Sequence, residues 1–212
     1  MRIVWHGHSC FEVGEEVTVV VDPHDGKSIG IHAPSVKADL VLVSHEHFDH
    51  NCTRIVKGDF AIIREPCRKE IKGVKVLGVQ GYHDNCHGQK RGKVTIFKFE
   101  MGGLRFCHLG DLGEPLTQEQ VSQLRPVDVL FVPVGGVFTI DGEQAKRVVA
   151  DLQPRVAIPM HFRFGGLSIA IQTAESFLRG LPEDQVVRVG NETEFTVEDL
   201  PSQTEYWVFS PD

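Results

Sequence analysis

The five cysteines, Cys10, Cys52, Cys67, Cys86 and Cys107, never form a CxxC pair, and their odd number excludes a complete disulfide set. Neither a disulfide framework nor a thiolate zinc cluster is therefore expected, and a reducing cytoplasm is the natural home. The chain also lacks any run of ~18 apolar residues, the length a membrane-spanning helix requires. Its start, Met1 to Phe11, carries no apolar core of signal-peptide length, so neither export nor membrane insertion is expected. Excess positive charge is missing as well: 22 Lys and Arg stand against 29 Asp and Glu, a net charge of -7. That balance argues against general nucleic-acid binding, which sets basic residues against phosphates. No low-complexity tract, linker or internal repeat divides the chain. A single domain over residues 1–212, long enough to bury a full core without staples, is the expectation.

What is present is sheet first. Arg2 to Trp5, Cys10 to Val13 and Val17 to Val21 read as short strands, with Gly14 marking a hairpin. Continuous apolar runs at Leu40 to Val43, Val129 to Val132 and Val156 to Ile158 suit strands buried on both faces. Val74 to Val79, Val94 to Phe99 and Leu104 to Cys107 add further strands. Helices are signalled by capping boxes at Thr117 with Gln120 and at Asp141 with Gln144, the second followed by Ala145, Val148, Val149 and Leu152 on one face. A third helix is predicted over Ile169 to Arg179, closing at Gly180. Interleaved strands and amphipathic helices place the chain in the α/β class.

Histidine is over-represented, at 11 residues, and its placement is regular. Five apolar strands each lead into an Asp or His: Val17 to Val21 into Asp22, Leu40 to Val43 into His45, and Val74 to Val79 into His83. Leu104 to Cys107 leads to Asp111, and Val156 to Met160 to His161. In α/β sheets the carboxyl ends of strands are where ligands bind. One polar residue at one strand end would carry no information; five, all His or Asp, point to a common site. At its centre lies the HxHxDH pattern of His45, His47, Asp49 and His50. Three imidazoles and a carboxylate within six residues can converge only through a tight turn, an arrangement suited to two metal ions sharing an edge.

With these motifs the sequence resembles the metallo-β-lactamase superfamily, and within it small zinc-dependent hydrolases akin to the ascorbate-6-phosphate lactonase and N-acyl phosphatidylethanolamine phospholipase D branch. The likeness runs from Gly7-His8-Ser9 through Asp22, HxHxDH, His83 and Gly110-Asp111 to His161. It implies a four-layer αββα sandwich with the site on one edge. It further implies that His45, His47 and His83 bind one ion, that Asp49, His50 and His161 bind a second, and that Asp111 bridges them. Asp22 would orient a ligating imidazole from behind. Two ions ~3.5–4 Å apart can share a hydroxide, since metal binding lowers the pKa of water to about 7, and Asp49 is the residue expected to hold it for attack. A phosphodiester, a lactone or another ester would serve equally as substrate. Zinc is the expected metal, two ions per chain, although a His/Asp set also accepts manganese or iron.

The alternatives are a mononuclear iron dioxygenase of the same fold and a catalytically silent metal-binding protein. Di-iron relatives carry HxExDH with Glu in place of His47, whereas Glu46 here occupies the unliganded position. His8, in the turn after the first strand, is either a partner of the ligands that donates a proton to the leaving group or a structural histidine. His6 and His108 are expected to be structural. Beyond His83, the residues His87, Lys90 and Arg91 either grip an anionic or phosphorylated small-molecule substrate or remain solvated. The sequence departs from the resemblance at Glu114, Val94 and Phe162, where His, Asn and Tyr are common, all of them outside the ligand set.

Overall fold

The computed structural model describes residues 1–211. In chain order its strands are β1 (Arg2–Trp5), β2 (Phe11–Gly14), β3 (Thr18–Val21), β4 (Leu40–Leu42), β5 (Ala61–Ile63), β6 (Arg68–Ile71), β7 (Val74–Tyr82), β8 (Lys93–Met101), β9 (Leu104–His108) and β10 (Val129–Pro133). After them come β11 (Val156–Met160), β12 (Val186–Arg188), β13 (Glu192–Glu194) and β14 (Glu205–Val208). The helices are α1 (Gln118–Leu124), α2 (Gly142–Leu152) and α3 (Glu175–Leu178).

The strands make two mixed sheets. One runs β13-β1-β2-β3-β4-β5 and the other β12-β14-β11-β10-β9-β8-β7-β6. Antiparallel hairpins join β1 to β2 and β2 to β3, while β3, β4 and β5 are parallel neighbours. In the second sheet β6 to β9 are an antiparallel meander and β9, β10, β11 and β14 run parallel. Parallel neighbours place their carboxyl ends together, and this is how distant segments reach one edge of the sandwich.

Period-two alternation sorts the apolar runs onto two faces. Val19, Val21, Leu40 and Leu42 face the main core, whereas Val20, Val41 and Val43 join Cys10, Val36, Ala38 and Val56 in a separate cluster. The β4 run is thus continuous in sequence because both of its faces are covered. The main core joins the two sheets through contacts such as Phe11 against Phe131, with ring centroids 4.4 Å apart. It continues beneath α2 through Ala145, Val148, Val149 and Leu152. The expected α/β sandwich, two sheets packed face to face, is the observed fold. On the far face of the first sheet the cover is a 3-10 turn at Thr53–Ile55, with Ile55 and Phe60 packing there, rather than a long helix.

Both capping boxes form as the sequence predicts: Thr117 and Asp141 each accept from the backbone N–H three residues on, and Gln120 and Gln144 return the bond. The third predicted helix does not form over Ile169 to Arg179; only Glu175–Leu178 is helical. The reason is tertiary. The Gln172 N–H donates to the Gly135 carbonyl, the Arg163 N–H donates to the Gln172 carbonyl, and Ile171 is buried with Ile29 and Leu167. No helix among the described residues is long and apolar enough to cross a membrane.

Candidate metal centre

The turn after β3 and the turn after β4 meet through one carboxylate. Asp22 accepts from the Ser44 N–H at 2.7 Å, the Ser44 hydroxyl at 2.6 Å and the His50 Nδ1–H at 2.9 Å. The Ser44 hydroxyl, its proton committed to Asp22, accepts in turn from His45 Nδ1 at 2.9 Å. Both imidazoles are thereby held with Nε2 turned away from the scaffold. At the end of β7, His83 Nδ1 donates to the Phe138 carbonyl at 3.0 Å, which fixes that ring in the same sense.

The free edges of these rings converge. His83, His161 and His45 bring Nε2 to within 3.3, 3.1 and 3.8 Å of Asp111 Oδ2, and His50 Nε2 lies 3.3 Å from Asp111 Oδ1. His47 Nδ1 is 3.1 Å from His83 Nε2, and Asp49 Oδ2 is 3.5 Å from His50 Nε2. All seven residues singled out in the sequence, His45, His47, Asp49, His50, His83, Asp111 and His161, therefore share one cluster. Their ligand-type atoms fall into groups lying within 4.8 Å of one another: His45 with His47 and His83, and Asp49 with His50, His161 and His8.

The cluster has the chemistry of a cation site. His45 Nε2, His50 Nε2 and Asp111 Oδ1 are buried without a hydrogen-bond partner among the described residues. Buried polar atoms left unpaired cost about 1–3 kcal/mol each, so three converging orphans need a common partner. Burial, and then the proximity of His50, depresses His45 to about 3, leaving a neutral imidazole of the kind a metal takes. Burial also opposes ionisation of Asp111 and Asp49. Neighbouring imidazoles outweigh it, His161 and His50 for Asp111, and His50 and His8 for Asp49, so both carboxyls lie below their ordinary range. For His50 burial works against the charged form, but Asp111 and Asp22 prevail and raise its pKa well above the ordinary value. The residues fit a metal ion.

His8 reaches the cluster from the turn after β1, with Nε2 3.1 Å from Asp49 Oδ2. Burial, followed by the nearness of His161, lowers its pKa to about 3. His108 is committed elsewhere: Nε2 faces the Ser9 carbonyl at 3.0 Å and Nδ1 accepts from the Gly110 N–H at 3.1 Å. His6 pairs with Glu12 at 3.2 Å. Phe162 is buried and stacks on Trp5, while Val94 is buried beside Gly110. Gly110 has φ +54°, and a Cβ there would lie 2.6 Å from the Ser44 Cβ, so only glycine lets the Asp111 segment approach the β4 turn.

The loop beyond His83 is organised by a residue to which the sequence reading assigned no role. Asp84 accepts from the backbone N–H groups of Cys86, Gly88, Lys90 and Arg91 at 2.7–2.9 Å and from the Cys86 thiol at 3.1 Å. His87 is exposed, with Nδ1 3.4 Å from Glu114. Lys90 is exposed without an ion pair among the described residues, and the Arg91 guanidinium lies 4.2 Å above the Phe138 ring. Ser44 and Phe138 were also missed. Ser44 stands inside the motif quoted from the sequence, but a buried backbone carbonyl such as that of Phe138 leaves no signal in composition or spacing.

Residues 2–161 match the family model of the beta-lactamase superfamily domain. A UPF0173 metal-dependent hydrolase of Thermoplasma acidophilum is 29% identical over 187 residues, covering 76% of this chain and 83% of the relative. A UPF0173 protein of Pyrococcus abyssi is 30% identical over 212 residues, covering 88% and 93%. A crystal structure from Thermotoga maritima, described as a candidate zinc-dependent hydrolase of the metallo-beta-lactamase superfamily, superposes with a TM-score of 0.83 at 37% identity. The match covers 100% of this chain and 99% of that one.

Proposed function

Because the chain belongs to the metallo-β-lactamase superfamily and is a metal-dependent hydrolase, we propose that it cleaves an ester-type bond with two zinc ions. One ion would be held by His45, His47 and His83, the other by Asp49, His50 and His161, with Asp111 between them. The observation that carries this reading is the ring of four imidazoles from three separate segments, each within 3.1–3.8 Å of the Asp111 carboxylate. Residues 1–212 are read as one such domain. A reducing cytoplasm, supported by five thiols without a disulfide, is its proposed location.

When bound, the ions would supply water activation near neutral pH and stabilisation of charge developing on the scissile group. The protein's part is positioning. Asp22 and Ser44 hold His50 and His45 in one tautomer and one orientation, and the Phe138 carbonyl does the same for His83. Asp49, its carboxyl kept ionised by His50 and His8, would accept a hydrogen bond from the attacking water and aim its oxygen. His8, neutral and buried, would donate its Nε2–H to Asp49 and hold that carboxylate in position. A phosphodiester, a lactone and another activated ester all suit this arrangement.

The test is a screen of zinc-, manganese- and iron-loaded protein against phosphodiesters, phosphomonoesters, lactones and thioesters, with metal content measured in each sample. Two ions per chain and turnover of at least one ester class are expected. Asp111→Ala should lose at least one ion and reduce turnover by 10²-fold or more. One iron per chain with oxygen consumption would replace the hydrolase by a dioxygenase, and two ions without any turnover would leave a silent metal protein.

A further inference from the structure

We propose that Arg91 is the anion-recognising residue of the substrate site, so that the substrate carries a carboxylate or phosphate group a short distance from the bond that is cleaved. This rests on the preceding reading only in taking the metal centre as the place of catalysis.

Three features of the 83–92 loop and the turn facing it carry the proposal. First, the guanidinium carbon of Arg91 lies over the Phe138 ring, 4.2 Å from its centroid, and the side chain has no carboxylate within 4 Å among the described residues. Stacking occupies the face of a guanidinium and leaves its in-plane N–H groups free, the edge that pairs with a carboxylate or phosphate through two parallel bonds. Second, a carboxylate is close by but is not offered to it. Asp84 Oδ2 accepts the backbone N–H of Arg91 at 2.7 Å, and its two oxygens are filled by four backbone N–H groups and a thiol. The loop is therefore built by Asp84 while the side-chain charge of Arg91 is left uncompensated. The neighbouring His87 differs, since Glu114 stands 3.4 Å from it.

Third, the platform is tied to the metal centre through a single residue. Phe138 places its ring under Arg91 and its carbonyl on His83 Nδ1 at 3.0 Å. The turn that delivers Phe138 is strained: Val137 has φ +62°, an unfavourable region for a β-branched side chain, and is 64% exposed. Such conformations persist where the surroundings enforce them, and they concentrate at binding and catalytic positions. One residue thus touches both a ring of the metal cluster and a cation with a free edge.

The test uses the zinc-loaded full-length protein as wild type, Arg91→Met and Arg91→Lys, each checked for zinc content and thermal midpoint. Titration with inorganic phosphate should show binding at least tenfold weaker in Arg91→Met. Arg91→Lys, which keeps the charge but loses the planar fork, should recover no more than about threefold. In parallel, three 4-nitrophenyl esters with acyl tails ending in methyl, carboxylate or phosphonate are compared. The ratio of kcat/KM for a charged tail over the methyl tail should fall at least tenfold in Arg91→Met, and the tail showing the larger fall identifies the anion. Phosphate binding that is equal in all three proteins overturns the proposal. So does full recovery in Arg91→Lys, which would mean that charge alone is responsible. A wild type that hydrolyses none of the esters would exclude simple carboxylic esters as the substrate class, while the phosphate titration still decides the role of Arg91.

Discussion

At the scale of single residues, the metal cluster is held from behind by groups that are not themselves in its ring. Asp22 serves three donors at once, and Ser44 passes its influence on to His45. Removing the hydroxyl in Ser44→Ala leaves His45 Nδ1 without its acceptor. Zinc affinity should drop by roughly 10–100-fold, as for other groups behind metal ligands, with little change in circular dichroism. Competition against a chelator of known affinity measures it, and an unchanged affinity would show that Asp22 alone orients the site. Backbone strain also collects here: His8, Asp22 and His161 all have φ between 48° and 54°. Non-glycine residues pay of order 1–3 kcal/mol for such positions, which the surrounding hydrogen bonds must outweigh.

At the scale of elements, two helices start where their capping residues stand and the third does not follow its periodicity. The difference is whether local groups satisfy the backbone. In α2, Asp141 and Gln144 complete a reciprocal box, so Asp141→Ala should cost about 1 kcal/mol in urea unfolding without altering metal content. Over Ile169 to Gln172 the backbone bonds instead to Gly135, far away in the chain, and to Arg163, which lies outside the predicted helix. Strand β4 shows the converse, a three-residue element legible because both faces are apolar and both are covered. The edge strands β6, β12 and β13 carry polar, exposed or half-buried residues and left no apolar pattern to read.

At the scale of the whole molecule, metal and pH both act on stability. The cluster joins turns after β1, β3, β4, β7, β9 and β11, so an ion bound only by the folded state should stabilise the entire sandwich. With free zinc at 100 times its dissociation constant the gain is about 2.7 kcal/mol, read as a rise in thermal midpoint that a chelator reverses. A second prediction concerns Asp128, which accepts two bonds from the Arg105 guanidinium at 2.7 and 2.8 Å and ties β9 to the segment before β10. Burial opposes ionisation of Asp128, but Arg105 outweighs it and its carboxyl lies below the ordinary value. The contribution of the pair is therefore complete above the unfolded pKa of about 3.9 and is lost as pH falls through the lower folded value. Asp128→Asn should cost about 1–2 kcal/mol at pH 7, and the gap to wild type should close as unfolding is repeated at falling pH. A gap independent of pH would assign the loss to packing.

What the sequence by itself determined is the composition of the site and the class of fold. Strand termini ending in His or Asp, and HxHxDH within six residues, are patterns of covalent spacing, and the apolar runs follow from the two faces each strand must cover. What only the tertiary structure decided is which lone pairs face inward, which backbone groups hold them there, and which cation is left without a partner. Ser44 below His45, the Phe138 carbonyl on His83 and the guanidinium of Arg91 above Phe138 each join segments far apart in the chain or depend on a side-chain rotation. Such relations depend on distance and direction in the folded molecule, which residue order alone does not carry.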